Sequence, residues 1–288
     1  MTLLHIGGYY WLDWHLHPEV VLPLVLLEVI YLYSVTEARG LISDAGRVRR
    51  GQVVTFSLGV LALYAAAGTP IHDISEQYLL SVHMVQHLLF TLVAAPLLLA
   101  GTPPWLWQAI LRGPGVMPVA RLLTNPLVAF GVFNAVLVLT HLQPVVDLAL
   151  REHAFHLVVH VVLVASAIMM WWPVLSNVPE LPRLSDPLQM AYLFLQSLLP
   201  AVLASFITFA DGVVYGFYGE APRIWGLSAI DDQQIAGGVM KLSGSLILWS
   251  FIAVAFFRWY EREVVESQPP HWPEVEAELD RMGLSHKQ

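Results

Sequence analysis

Two stretches pair histidines one helical turn apart inside hydrophobic runs. "SVHMVQHLLF" carries His83 and His87, and "HAFHLVVH" carries His156 and His160, with His153 a turn earlier. On a helix, residues four apart share a face, so each pair presents two imidazoles to one side. Ionisable groups within a membrane span mark function by default. Membrane histidines also act as polar links between helices. Two pairs at matched depth favour a shared site over two independent links. Imidazole is a ligand for copper, zinc and iron, haem iron included. His141 closes a further apolar stretch at the same side, and "AIDDQQIAGGVMK" adds Asp232 and Met240 on one helical face. The predicted metal set is His83, His87, His156 and His160, extended by His141, Asp232 and Met240. Thioether with imidazole suits Cu(I). Met84 points about 100° away from His83.

The elements that must position these residues are membrane spans. The chain is 57% hydrophobic and only 12% charged, about half the charged content of a soluble domain. Seven apolar stretches are predicted to span, at 18–37, 53–69, 78–100, 126–142, 154–175, 188–210 and 232–257, the second and fourth being short. The expected fold is an all-α, polytopic bundle of seven transmembrane helices. It comprises an extracytoplasmic segment 1–17, a transmembrane domain 18–258 and a cytoplasmic tail 259–288. No cleavable signal peptide is expected. On one side of the spans lie eleven Lys and Arg, on the other Arg151 and Arg223 alone. The positive-inside rule then puts the N-terminus outside and the C-terminus in the cytoplasm. Ten of the twelve histidines fall on the outer side: His5, His15, His17, His72, His83, His87, His141, His153, His156 and His160. His271 and His286 lie in the tail. The interfacial "WLDWHLH" could hand ions inward or simply anchor at the bilayer surface.

Other classes are narrowed by what the chain contains. A net charge of −8 offers no basic surface for nucleic acid, and zero cysteines exclude disulfides and thiol chemistry. Glu28 and Lys241 carry the strong mid-membrane charges. In a closed ring of seven helices the first and last are neighbours, so a buried Glu28–Lys241 ion pair is expected. A haem site remains open on spacing alone, as does a zinc or di-metal membrane enzyme with Asp232 or Glu152 as base. No His-Glu-x-x-His is present. A retinal protein would need a carboxylate in the third span, and 78–100 has none. Transport is not pointed to once the two mid-membrane charges are paired.

"HMVQHLLF", "AAPLLLAGTP", a histidine closing the fourth span, "HLVVH" ahead of "WWPVL", and "DDQQIAGGVM", in this order, resemble the CtaG family of cytochrome c oxidase assembly factors, the polytopic family linked to caa3-type oxidases. The likeness runs over roughly 70 to 245. It picks out His83, Gln86, His87, His141, His156, His160, Trp171, Trp172, Pro173, Asp232, Gln233 and Met240. It departs at "LTHLQP", which lacks the usual Trp before the histidine, and at Lys241. The resemblance implies a multi-pass protein of the bacterial plasma membrane that handles metal rather than catalyses. It also implies copper, as Cu(I), and oxidase subunits or other copper-handling factors as partners beside the lipid bilayer. Haem and zinc are the alternative cofactors.

Overall fold

The computed structural model describes residues 17–41, 45–267 and 272–282. His5, His15, His271 and His286, and all of "WLDWHLH" but His17, lie outside them. Regular structure among the described residues is helical. Six helices are long and apolar enough to cross a membrane: α1 (Pro18–Val35), α2 (Arg50–Ala67), α4 (Leu80–Gly101), α9 (His153–Leu175), α10 (Asp186–Phe209) and α12 (Ala229–Ser267). The expected fourth span is α7 (Pro126–Thr140), whose 15 residues cover about 22 Å. That is short of a hydrocarbon core of roughly 30 Å. It follows α6 (Val116–Leu123) after a 74° bend, and the crossings number seven if this bent pair counts as one span and six otherwise. Asn125 accepts from the amides of Leu127 and Val128 and Pro126 occupies the first turn, which fixes the bend between the helices. α12 runs nine residues beyond the transmembrane domain expected to end at 258. A second helix, α13 (Trp272–Arg281), follows it in the expected tail.

The bundle is built around α4, which packs against α2, α9 and α12. α10 lies along α12, and α7 joins α9 to α10. One apolar core gathers side chains of α4, α7, α9, α10 and α12 around Trp171, Met170 and Leu193. A second joins α1, α2 and α4 around Tyr31, Phe56 and Phe90. The first helix packs on α2, and most of α1 faces outward through Leu22, Val25, Leu26, Val29 and Ile30.

This arrangement overturns the Glu28–Lys241 ion pair. Glu28 accepts a 2.6 Å hydrogen bond from Ser57 of α2. Lys241 is exposed and donates to Ser205 of α10 at 3.1 Å. The reason is topological: α1 hangs on α2, while α12 packs against α10 and α4, so the ring does not close through them. Ser205 lies four residues before the end of α10. The lysine stem therefore carries its ammonium towards the end of the bundle, as long cationic side chains do in bilayers.

Four short helices flank the spans. α5 (Pro104–Leu111) sits at the arginine-rich end, where Gln108 donates to Glu180. At the histidine-rich end lie α3 (Pro70–Gln77), α8 (Gln143–Arg151) and α11 (Gly216–Glu220). They are tied to the spans and to each other. Tyr215 donates to the His141 carbonyl at 3.0 Å, Tyr218 to the Ser75 carbonyl at 2.6 Å, and the Phe217 amide to Asp147 at 3.2 Å.

Within α4 the helix widens into a π-turn over Leu89–Ala94, just after His87. In that register the carbonyl of Thr91 would accept from residue 96, which is proline and has no N–H. The Trp171 indole of α9 donates to that carbonyl instead, at 2.8 Å. The proline and the tryptophan of the sequence motifs are thus two halves of one local solution.

Candidate metal centre

Three spans bring five histidines together at one end of the bundle. His83 and His87 come from the first two turns of α4, His156 and His160 from the start of α9, and His141 from the end of α7. All five are buried. Ring centroids are 4.2 Å apart for His83–His87 and 4.1 Å for His156–His160. Across the helices they are 5.7 Å for His83–His156, 5.6 Å for His87–His160 and 5.8 Å for His87–His141. The two helical pairs expected from the spacing therefore face each other at one depth.

Two further residues join them from α3, and sequence reasoning had given neither a role in the site. His72 lies 6.4 Å from His156 and 6.5 Å from His160, ring to ring. Glu76 accepts from Nδ1 of His156 at 2.6 Å and contacts Nε2 of His72 at 3.1 Å. The signal was there in "PIHDISEQ", where His72 and Glu76 are four apart on a strongly amphipathic helix. Gln86 of α4 fixes the second ring. Its amide donates to the Ala66 carbonyl at 2.9 Å and to Nδ1 of His72 at 3.1 Å, and its oxygen accepts from Ser75 at 3.0 Å. With Nδ1 of His72 an acceptor, the proton sits on Nε2, 3.1 Å from Glu76 but not aligned for a hydrogen bond to it. Burial holds the His72 pKa below its usual value, partly countered by Glu76. Burial pushes Glu76 up, but the hydrogen bond from His156 and the nearby imidazoles outweigh it, and the carboxyl lies below its usual range.

The remaining nitrogens define what the cluster can do. Nδ1 of His141 donates to the Leu137 carbonyl at 2.7 Å, which leaves Nε2 as the free lone pair of a neutral ring. His156 likewise donates through Nδ1, here to Glu76. No hydrogen-bond partner is present for Nε2 of His141, His156 and His160, for Nδ1 of His83, or for either nitrogen of His87. Among the described residues, no three His, Asp or Glu side chains already converge on a common ion position. The donors are gathered but not closed on a point.

The other expected ligands divide. Met240 lines a cavity of about 50 Å³ beside the cluster, together with Met84, His87 and His141. Asp232 has a different job. Its two oxygens accept from the amides of Leu80 and Ser81, at 2.8 and 3.0 Å, so it caps α4 from a neighbouring helix. Gln233 is also structural, accepting from the Val214 amide at 2.7 Å and donating to the carbonyls of Ile207 and Gly212 at 3.1 Å. Trp172 donates to the Leu181 carbonyl at 3.1 Å, and the Pro173 carbonyl accepts from Leu184 at 2.8 Å. Towards the end of the bundle, His17 bridges Glu19 at 3.1 Å and Asp73 at 3.2 Å, with its ring 4.7 Å from that of His72.

Comparison with known proteins agrees with this architecture. Residues 29–262 match the family model described as cytochrome c oxidase caa3 assembly factor. An uncharacterized protein of Mycobacterium bovis and one of Mycobacterium tuberculosis are each 24% identical over 239 residues. The match covers 77% of this chain and 36% of each relative, so the chain spans about a third of the length of the curated relatives it matches. No solved structure matches. The chain belongs to the cytochrome c oxidase caa3 assembly factor family.

Proposed function

We propose that this member of the caa3 oxidase assembly family carries copper as cargo in the histidine cluster and delivers it to an oxidase subunit at the outer face of a bacterial plasma membrane. The observation that carries the reading is the set of six imidazole nitrogens, on His83, His87, His141, His156 and His160, buried together without hydrogen-bond partners. Each such group costs about 1–3 kcal/mol when left unsatisfied. One nitrogen of His87 carries its proton, so at most five of the six are lone pairs, and a folded chain that gathers them has a use for them. His156 and Glu76 form the carboxylate–imidazole pair that orients a metal-binding ring and raises its basicity.

The donor set fits copper. His83, His87, His156 and His160 would hold the ion, with His141 as a further nitrogen and the thioethers of Met84 and Met240 on the side of the small cavity. Mixed imidazole and thioether ligation favours Cu(I). Donors that are near one another without converging suit a carrier, which must release its ion. Asp232 is left out of the set because both its oxygens hold the end of α4. The positive-inside count favours the outer side for the cluster, where His17, Glu19 and Asp73 would be the first groups an arriving cation meets.

A b-type haem between α4 and α9 is the weaker reading. The cavity beside His87 and His141 holds only about 50 Å³, far less than the flat macrocycle of a haem fills. The deciding measurement is metal content and visible spectrum of detergent-purified protein after loading with Cu(I), wild type against His83→Ala/His87→Ala. Stoichiometric copper lost in the double variant, with no Soret band, is the expected result. A Soret band would move the cluster to haem. Zinc retained in preference to Cu(I) would move it to a zinc site. Absence of any metal in both forms would leave the histidines as interhelical polar links.

A further inference from the structure

A cavity of about 420 Å³ opens between α1, α2 and α9 and ends at the histidine cluster. Its walls are apolar, with Leu24, Leu63, Val161 and Val164 among them, and His72, Glu76 and His160 lie at its polar end. Val161 is 59% exposed on the face of α9 that looks away from the bundle, so the cleft opens sideways towards lipid. On the aqueous side it is roofed. Glu19 at the start of α1 reaches His153 at the start of α9, at 3.6 Å, and also holds His17. A ligand for this space enters from the bilayer.

We propose that the cleft binds an isoprenoid quinone, its ring against His160 and its tail running out between α1 and α9. Four observations select this class. The polar end offers imidazoles and a carboxylate, which can donate to a quinone oxygen and accept from a quinol hydroxyl. It offers no cation, and the carboxylates of Glu19 and Glu76 both line it, so a phosphate headgroup would meet like charge. Phe90 lies 4.8 Å from the His160 ring, giving a flat ring an aromatic wall beside its hydrogen-bonding partner. His160 is seven residues into α9, about 10 Å below its first turn, deeper than lipid headgroups sit. The cleft is a binding site whether or not the cluster beside it carries metal.

The test uses the full chain in lipid nanodiscs, stripped of metal with a chelator so that the result does not depend on copper. Decylubiquinone is the probe, and decylbenzene is the control with the same tail and no quinone oxygens. Saturable one-to-one binding of decylubiquinone, at least tenfold tighter than decylbenzene, is expected. Ala165→Trp, at an exposed position lining the cleft, should weaken it at least tenfold. Leu246→Trp, on the exposed face of α12, should leave it unchanged. Equal binding of the two probes would make the cleft a slot for acyl chains and overturn the proposal. So would quinone binding that Ala165→Trp does not weaken while the variant keeps the wild-type thermal midpoint. If Ala165→Trp lowers that midpoint, a photoreactive decylubiquinone decides: crosslinks to α9 around Ala165 support the site, and crosslinks elsewhere overturn it.

Discussion

Glu76 and His156 meet at 2.6 Å, carboxylate to Nδ1, across the junction between a surface helix and a membrane span. The contact leaves Nε2 of the same ring buried and without a partner. It joins α3, which carries no expected ligand, to the centre of the candidate site. Glu76→Gln keeps the shape of the side chain but removes its charge. Cu(I) affinity, measured by competition with a chromophoric chelator, should fall by roughly 10- to 100-fold, the usual effect of losing a carboxylate behind a metal-binding histidine. Copper stoichiometry at saturation should be unchanged. An affinity within twofold of wild type would remove Glu76 from the site.

Asp232 separates capping from ligation. Asp232→Ala strips two amides at the start of α4 of their acceptor, and loss of such a cap costs about 0.5–2 kcal/mol. The variant should melt earlier in detergent and still bind copper at full stoichiometry once folded. Asp232→Asn, which retains one acceptor oxygen, should lie between. A folded Asp232→Ala protein with less bound copper would return this carboxylate to the ligand set.

The π-turn in α4 can be tested by removing and then replacing its missing donor. Trp171→Phe leaves the Thr91 carbonyl buried and unsatisfied, at a cost of about 1–3 kcal/mol. Pro96→Ala supplies an N–H at the position that the π-register calls for. In the Trp171→Phe background, Pro96→Ala should recover part of the lost stability, read as the midpoint of denaturant unfolding. Strictly additive effects would mean that the tryptophan acts through packing alone.

Glu28 and Lys241 should behave as strangers. Each has its own serine partner on a different helix. In a double-mutant cycle with Glu28→Gln and Lys241→Met, the stability changes should add to within about 0.5 kcal/mol, as for residues with no shared partner. A coupling of 2 kcal/mol or more would restore the ion pair expected from sequence.

Depth was legible in the sequence and adjacency was not. Hydropathy and the one-turn histidine spacing put His83, His87, His156 and His160 at one level, and the fold brings them face to face. The same logic put Glu28 and Lys241 at one level, and there it failed, because matched depth says nothing about which helices are neighbours. Glu76 escaped notice for a related reason. It lies on an eight-residue helix between spans, polar enough to read as loop, and only the folding of α3 onto α4 turns it inward. Asp232 was read correctly as sitting near the histidine end. Its partners are backbone amides of another helix, which no pattern of side chains announces. The fourth stretch is short by length alone, but hydropathy does not announce the 74° bend that joins α7 to α6 at Asn125–Pro126.

α12 is the longest helix described, with 39 residues from Ala229 to Ser267. At 1.5 Å per residue it is a rod of about 58 Å, nearly twice the hydrocarbon thickness of roughly 30 Å. One end grips Leu80 and Ser81, the first residues of the helix that carries His83 and His87. Near the other, Arg258 and Arg262 both clamp Asp186 at the start of α10. That clamp ties the far part of α12 to the first turn of α10. One continuous helix thus joins the start of α4, beside the histidines, to the Asp186 clamp at the other end of the bundle.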